Sequence, residues 1–152
     1  MYETLTDRIL TLCDTIPALV LQLPENELTA RPAPGKWSKK EILGHLIDSA
    51  ANNHQRFVRG QFEQEPQIFY AQNEWVSFQQ YNTASMQQLL ALWQAYNRHL
   101  AYIISLVPAE SLGRQCRGRD GNLYTLSYLI EDYLVHMEHH LKQIITYSQA
   151  QN

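Results

Sequence analysis

Leu126, Leu129, Ile130, Tyr133, Leu134, Met137, Leu141, Ile144 and Ile145 recur every three or four residues, and three earlier stretches keep the same rhythm. Residues spaced this way share one side of an α-helix, and that side must be buried against another element. The third stripe runs through Met86, Leu89, Leu90, Trp93, Tyr96, Leu100, Ile103, Ile104 and Val107, and Pro108 stops it. The second, Ile42, Leu43, Leu46, Ile47, Ala50 and Phe57, closes near Gly60. It opens at Ser38-Lys-Lys-Glu41, a capping box in which serine and glutamate satisfy each other's orphan amides. The first, Leu5, Ile9, Leu12, Ile16, Leu19 and Leu23, is interrupted by Pro17, which must kink the helix or restart it with Thr15 as the cap. Four long helices and no convincing alternating strand predict an all-α four-helix bundle, one domain over residues 1–152.

The connections read less sharply. Pro24 and the segment Arg31 to Trp37 form the first connector. A long second-to-third-helix connection, residues 61–82, is aromatic and polar, with room for a short helix around Asn73 to Gln80. Ser85-Met-Gln-Gln88 is a weaker capping box, and SLGRQCRGRDGN, residues 111–122, is a loop before the last helix.

Composition narrows the function classes. A formal net charge of −3 without a long basic run argues against a dedicated nucleic-acid binder. Uninterrupted apolar runs reach only five residues, far short of a membrane span. The N-terminal MYETLTDRIL has no basic region followed by an apolar core, so no secretory signal is expected. Cys13 and Cys116 make no disulfide framework, and a reducing cytoplasm is the expected compartment.

Six histidines are unevenly spread, and His136-Met-Glu-His-His140 concentrates three of them on the last helix. His136 and His140 are four apart, about 6 Å along the helix axis and on one face, so two imidazoles can converge on one ion. At 100° per residue, His140 sits roughly 65° and His136 roughly 105° from the middle of the apolar stripe, at the core's margin; His139 points to solvent. This is not the metalloprotease pattern, which needs His-Glu-x-x-His, nor a di-iron Glu-x-x-His bundle. The pair can equally be accidental.

A third ligand should come from another helix, and His45 is the best candidate. Glu41, His45, Asp48 and Asn52 form a narrow polar stripe on the second helix, yet it lies well over 90° from that helix's apolar centre. Periodicity alone assigns it to a solvated face. His54 and His99 each stand alone and read as surface or structural histidines. Asn97 falls inside the third apolar stripe, where it either ties helices together or lines a polar pocket.

RPAPGKWSKKEILGHLIDSAANNHQRFVR, YAQNEW, LLALWQAYNRHL and YLIEDYLVHMEHHLKQI, in that order, resemble the DinB/YfiT-like superfamily of metal-dependent enzymes over residues 15–145. The distinctive parts are W-S-x-x-E-x-x-x-H and the terminal H-x-x-x-H. The resemblance implies a four-helix bundle with a three-histidine metal site at one end, formed here by His45, His136 and His140. It also implies an enzyme acting on a small molecule: an S-transferase or isomerase using a low-molecular-weight thiol such as bacillithiol or mycothiol, or a hydrolase.

Three neutral imidazoles leave coordination positions open, as in catalytic and not structural sites. Zinc or nickel is the expected cation, since imidazole suits both. Asp48 is the candidate base for hydrolysis, and thiol transfer, the preferred reaction, asks less of the protein. Asp48 and Asp132 can alternatively orient histidine N–H groups, or be solvated helix charges. Arg114, Arg117 and Arg119 can bind carboxylates or simply be solvated, and Cys116 can be a reactive thiol only if exposed. A non-catalytic metal-binding or dimerising bundle is the third class, with a homodimer as its expected assembly.

Overall fold

A computed structural model describes residues 2–147. The four long helices are α1 (Glu3–Val20), α3 (Lys39–Arg59), α5 (Met86–Leu106) and α6 (Leu126–Ile144), with short α2 (Glu25–Thr29) and α4 (Gln72–Gln79) in the connections. The predicted bundle is present. α3 packs on α5 and α6, and α1 packs on the same two, so α1 and α3 take opposite corners. The long helices bury the predicted stripes, with Trp93, Phe57, Leu100, Ile130 and Met137 wholly enclosed. Among the described residues no helix is long and apolar enough to cross a membrane.

Three local expectations need correction. Pro17 neither kinks α1 into two helices nor restarts it, and Thr15 is no cap: its hydroxyl bonds the Thr11 carbonyl inside one continuous helix. Proline has no N–H to offer the carbonyl four residues back. Here that carbonyl, on Cys13, accepts from Gln94 Nε2 of α5 at 2.7 Å, so the lost helical bond becomes an interhelix one. The stretch 111–122 is not wholly loop. Strands β1 (Gln115–Arg117) and β2 (Leu123–Thr125) pair antiparallel around Gly121, whose φ of 82° is open to glycine at no steric cost. α2, inside the first connector, was not expected either.

α3 begins where the capping box predicts: Ser38 Oγ accepts from the Glu41 amide, and Glu41 Oε1 accepts from the Ser38 amide. A collar of further bonds surrounds this turn. Arg31 donates to both Glu41 oxygens at 2.8 and 3.1 Å. Buried Lys40 donates to Glu25 and to the Ala84 carbonyl. Ser38 Oγ donates to Asn82, whose amide reaches the Thr29 carbonyl. Burial alone would raise the Glu41 carboxyl, but Arg31 and the Ser38 amide outweigh it and hold it below the usual range.

Asn97, buried in the core, ties helices together. It accepts from Tyr133 of α6 and donates to the Trp93 carbonyl one turn back. Gly44, one turn into α3, lets the Tyr81 ring lie against the helix backbone: a Cβ there would meet Tyr81 carbons at 2.0–2.4 Å. Helix propensity favours Gly44→Ala by about 1 kcal/mol, whereas overpacking costs about 1–3 kcal/mol. Net destabilisation is therefore expected in urea unfolding, and a variant as stable as the parent would show that Tyr81 does not seat here.

Candidate metal centre

α3 and α6 run antiparallel along their seam, since His45 meets His136 and His140 at one end while Phe57 stacks edge-on against Tyr133 further along. His45, His136 and His140 each point a ring nitrogen into one space, and the three nitrogens lie within 4.8 Å of one another. His45 Nε2 and His136 Nε2 are 3.2 Å apart. The expected pair on α6 is thus joined by the expected third member from α3, and His139 stays exposed.

The solvated face that periodicity gives the His45 stripe is corrected here: Glu41, His45, Asp48 and Asn52 are all buried. A helical wheel credits a helix with one buried side, but α3 is also covered by α2, α4 and the 3₁₀ turn Tyr81–Thr83. Those connections supply the polar partners. Asp48 Oδ1 accepts from Tyr81 Oη at 2.6 Å and Gln79 Nε2 at 2.8 Å, while Asp48 Oδ2 is buried without a partner. Burial raises the Asp48 carboxyl despite those two bonds.

The imidazoles are held neutral. Burial first, then repulsion from His136 and His140, pushes His45 down to about 3. Burial, with His140, His139 and the Arg56 guanidinium adding to it, pushes His136 down to about 4. Burial lowers His140 as well, against an opposing hydrogen bond to Gln143. That bond runs from His140 Nδ1 to Gln143 Oε1 at 2.9 Å and leaves Nε2 as the lone-pair nitrogen. His45 Nδ1 is buried without a partner. Three neutral imidazoles with converging lone pairs are the donor chemistry a borderline divalent cation takes.

Two aromatic residues complete the walls; the sequence motifs contain both, but gave neither a role at the site. Trp37, just before the α3 cap, lies 4.8 Å from the His45 ring and 6.5 Å from His140, centroid to centroid. Tyr70 stacks on His45 at 6.5 Å and meets Trp75 edge-on at 5.5 Å. A largely apolar cleft of about 700 Å³ opens beside the cluster, lined by Trp37, Ile42, Pro32, His140 and Gln143 among others. That is a usual size for a small-molecule site.

Other sequence candidates stand elsewhere. Asp132 is exposed and makes no hydrogen bond to the histidines. Arg114 donates to the Gly60 and Glu63 carbonyls, Arg117 to Glu65 and the Gly121 carbonyl, and Arg119 lies over the Phe69 ring. The three arginines brace the hairpin and form no common anion site. Cys116 is buried and its thiol is raised by burial, which removes it as a reactive group. His54 and His99 are not solitary: their rings pack 5.5 Å apart, and His54 Nδ1 bonds Tyr96 Oη at 2.7 Å.

The neutral cluster sets a pH dependence. Unfolded imidazoles take up protons from about pH 6.5 downward, whereas folded His45 and His136 stay neutral until about 3 and 4. Protons therefore favour the unfolded chain. Metal-free protein should lose melting temperature steadily from about pH 6.5 to 4, and His45→Gln should weaken that slope. A flat profile in calorimetry would contradict the burial of the cluster.

Comparison with known proteins agrees with this architecture. Residues 9–144 match the sequence profile of the DinB superfamily. YfiT of Bacillus subtilis, provisionally named a metal-dependent hydrolase, is 24% identical over 149 residues, 94% of this chain and 84% of that one. OB0782 of Oceanobacillus iheyensis, named the same way, is 25% identical over 126 residues, 82% and 73% of the two chains. The solved YfiT structure, described as an unusual four-helix bundle, superposes with a TM-score of 0.79 at 23% identity, over 95% of this chain and 86% of that one. A mycothiol-dependent maleylpyruvate isomerase shares the fold at 13% identity and a TM-score of 0.71, over 91% of this chain and 60% of that one.

Proposed function

The chain belongs to the DinB superfamily, and from that premise we propose that it is a metal-dependent enzyme acting on a small molecule. In this reading His45, His136 and His140 hold one divalent cation, zinc or nickel, and leave a coordination position open. The observation that carries it is the meeting of three neutral imidazoles from two helices beside an apolar cleft. The names of the relatives point the same way.

The reaction we favour is S-transfer of a low-molecular-weight thiol. A divalent cation in this place supplies Lewis acidity, which stabilises a thiolate or lowers the pKa of a water. The chain's own groups do the rest. Burial keeps the imidazoles unprotonated at neutral pH, Gln143 orients His140, and the Trp37 ring packs beside His45. Both cysteines are free and buried, so neither competes with an incoming thiol, and a reducing compartment suits them.

Hydrolysis is the second reading, and one observation favours it. Asp48 has a buried oxygen with no partner and a carboxyl raised by burial, as a general base working nearer neutrality would.

Two measurements test this. Elemental analysis should find about one divalent metal per chain, lost in His136→Ala, His140→Ala and His45→Ala; full occupancy in any one variant removes that residue as a ligand. Metal-loaded protein is then assayed with monobromobimane and bacillithiol, mycothiol, glutathione or cysteine in turn. Thiol-dependent turnover that falls at least about 100-fold in His136→Ala supports S-transfer. Turnover of ester or amide probes alone, abolished by Asp48→Asn, replaces it with hydrolysis.

A further inference from the structure

The cleft beside the cluster carries a small excess of positive charge, two lysines against one glutamate. Its charged lining groups are Glu27, Lys36 and Lys39. Lys39 Nζ reaches Glu27 only at 3.9 Å. Lys36 makes no ion pair among the described residues. The rest of the lining is largely apolar: Trp37, Ile42, Pro32 and Ala30 share it with His140. Asn73 and Gln143 are the uncharged polar groups in its lining. A purely apolar ligand would leave Lys36 unused, and a small inorganic anion would leave the apolar lining uncovered.

We propose that this cleft binds the second substrate, and that this substrate has a flat apolar body lying against Trp37 and an anionic group facing Lys36 and Lys39. The inference rests on the three-histidine cluster being the reaction centre, since His140 belongs both to the cluster and to the lining of the cleft. The apolar lining removes apolar surface from water and supplies affinity. The lysines, near the surface and only loosely paired, supply selection by charge.

Two dyes of similar shape separate these roles: anionic 1-anilinonaphthalene-8-sulfonate and its uncharged relative N-phenyl-1-naphthylamine. In fluorescence titrations the wild-type chain should bind the anion at one site and more tightly than the neutral dye. Lys36→Gln/Lys39→Gln should weaken the anion about fivefold and leave the neutral dye within about twofold. Trp37→Leu should weaken both. Equal binding of the two dyes, or a lysine double variant indistinguishable from wild type, overturns the proposal. A Phe78→Ser control identifies binding to the exposed aromatic at that site, since loss there and not in Trp37→Leu also overturns it. The same titrations on His136→Ala keep the two hypotheses apart. Unchanged dye binding in a variant that holds no metal supports the cleft whatever becomes of the metal, and metal retained alongside a failed dye test leaves the centre standing without this substrate.

Discussion

The first turn of α3 is the fixed point of the molecule. Lys40 and Glu41 are buried there, and a buried charge is tolerable only when it is paired and hydrogen-bonded. Their partners come from both connections: Glu25 and Arg31 from the segment before α3, the Ala84 carbonyl from the segment after α4. Two otherwise irregular stretches are thereby pinned to one helix end, next to the capping box. His45 stands one turn further along the same helix, so its height relative to α6 is set by this collar. Breaking one member would leave a buried charge unmatched, a cost larger than the pair itself contributes.

The fold was legible because it depends on periodicity. Apolar stripes, Pro108 and the Ser38–Glu41 box place α3, α5 and α6 to within a residue or two, whereas α1 runs unbroken through Pro17 and stops three residues before its stripe does. The candidate site was legible only in part. His136 and His140 are neighbours in sequence and on one face, so spacing alone brings them together. His45 needed the family resemblance, because most of the groups packed around it, Tyr70, His136 and His140, lie far away in sequence. Trp37 and Tyr70 fall inside segments that resemble the family but carried no periodic signal, since an aromatic residue in a connector has no period to betray what it touches. The same limit misplaced the arginines of the hairpin: a loop reading sees charge, whereas the folded chain uses their N–H groups to satisfy backbone carbonyls.

Burial also sets the character of the cluster. An imidazole that stayed charged near neutral pH would repel both its neighbours and any cation. The α3–α6 seam removes enough water to keep His45 and His136 neutral without a carboxylate among the three. The net charge of an occupied site is then that of the ion, which favours anionic ligands in the remaining positions.

Gly44 and Tyr81 occupy the same few ångströms of space, although they lie in different elements. The tyrosine that fills the notch is also a donor to Asp48. Positions 44 and 81 are therefore not free to drift separately. A side chain acquired at the first demands a smaller one at the second, and that exchange would strip a hydrogen bond from a buried acid one turn from His45. Pairwise covariation between these two sites, tracking the identity of residue 48, is the trace such a constraint leaves in a lineage.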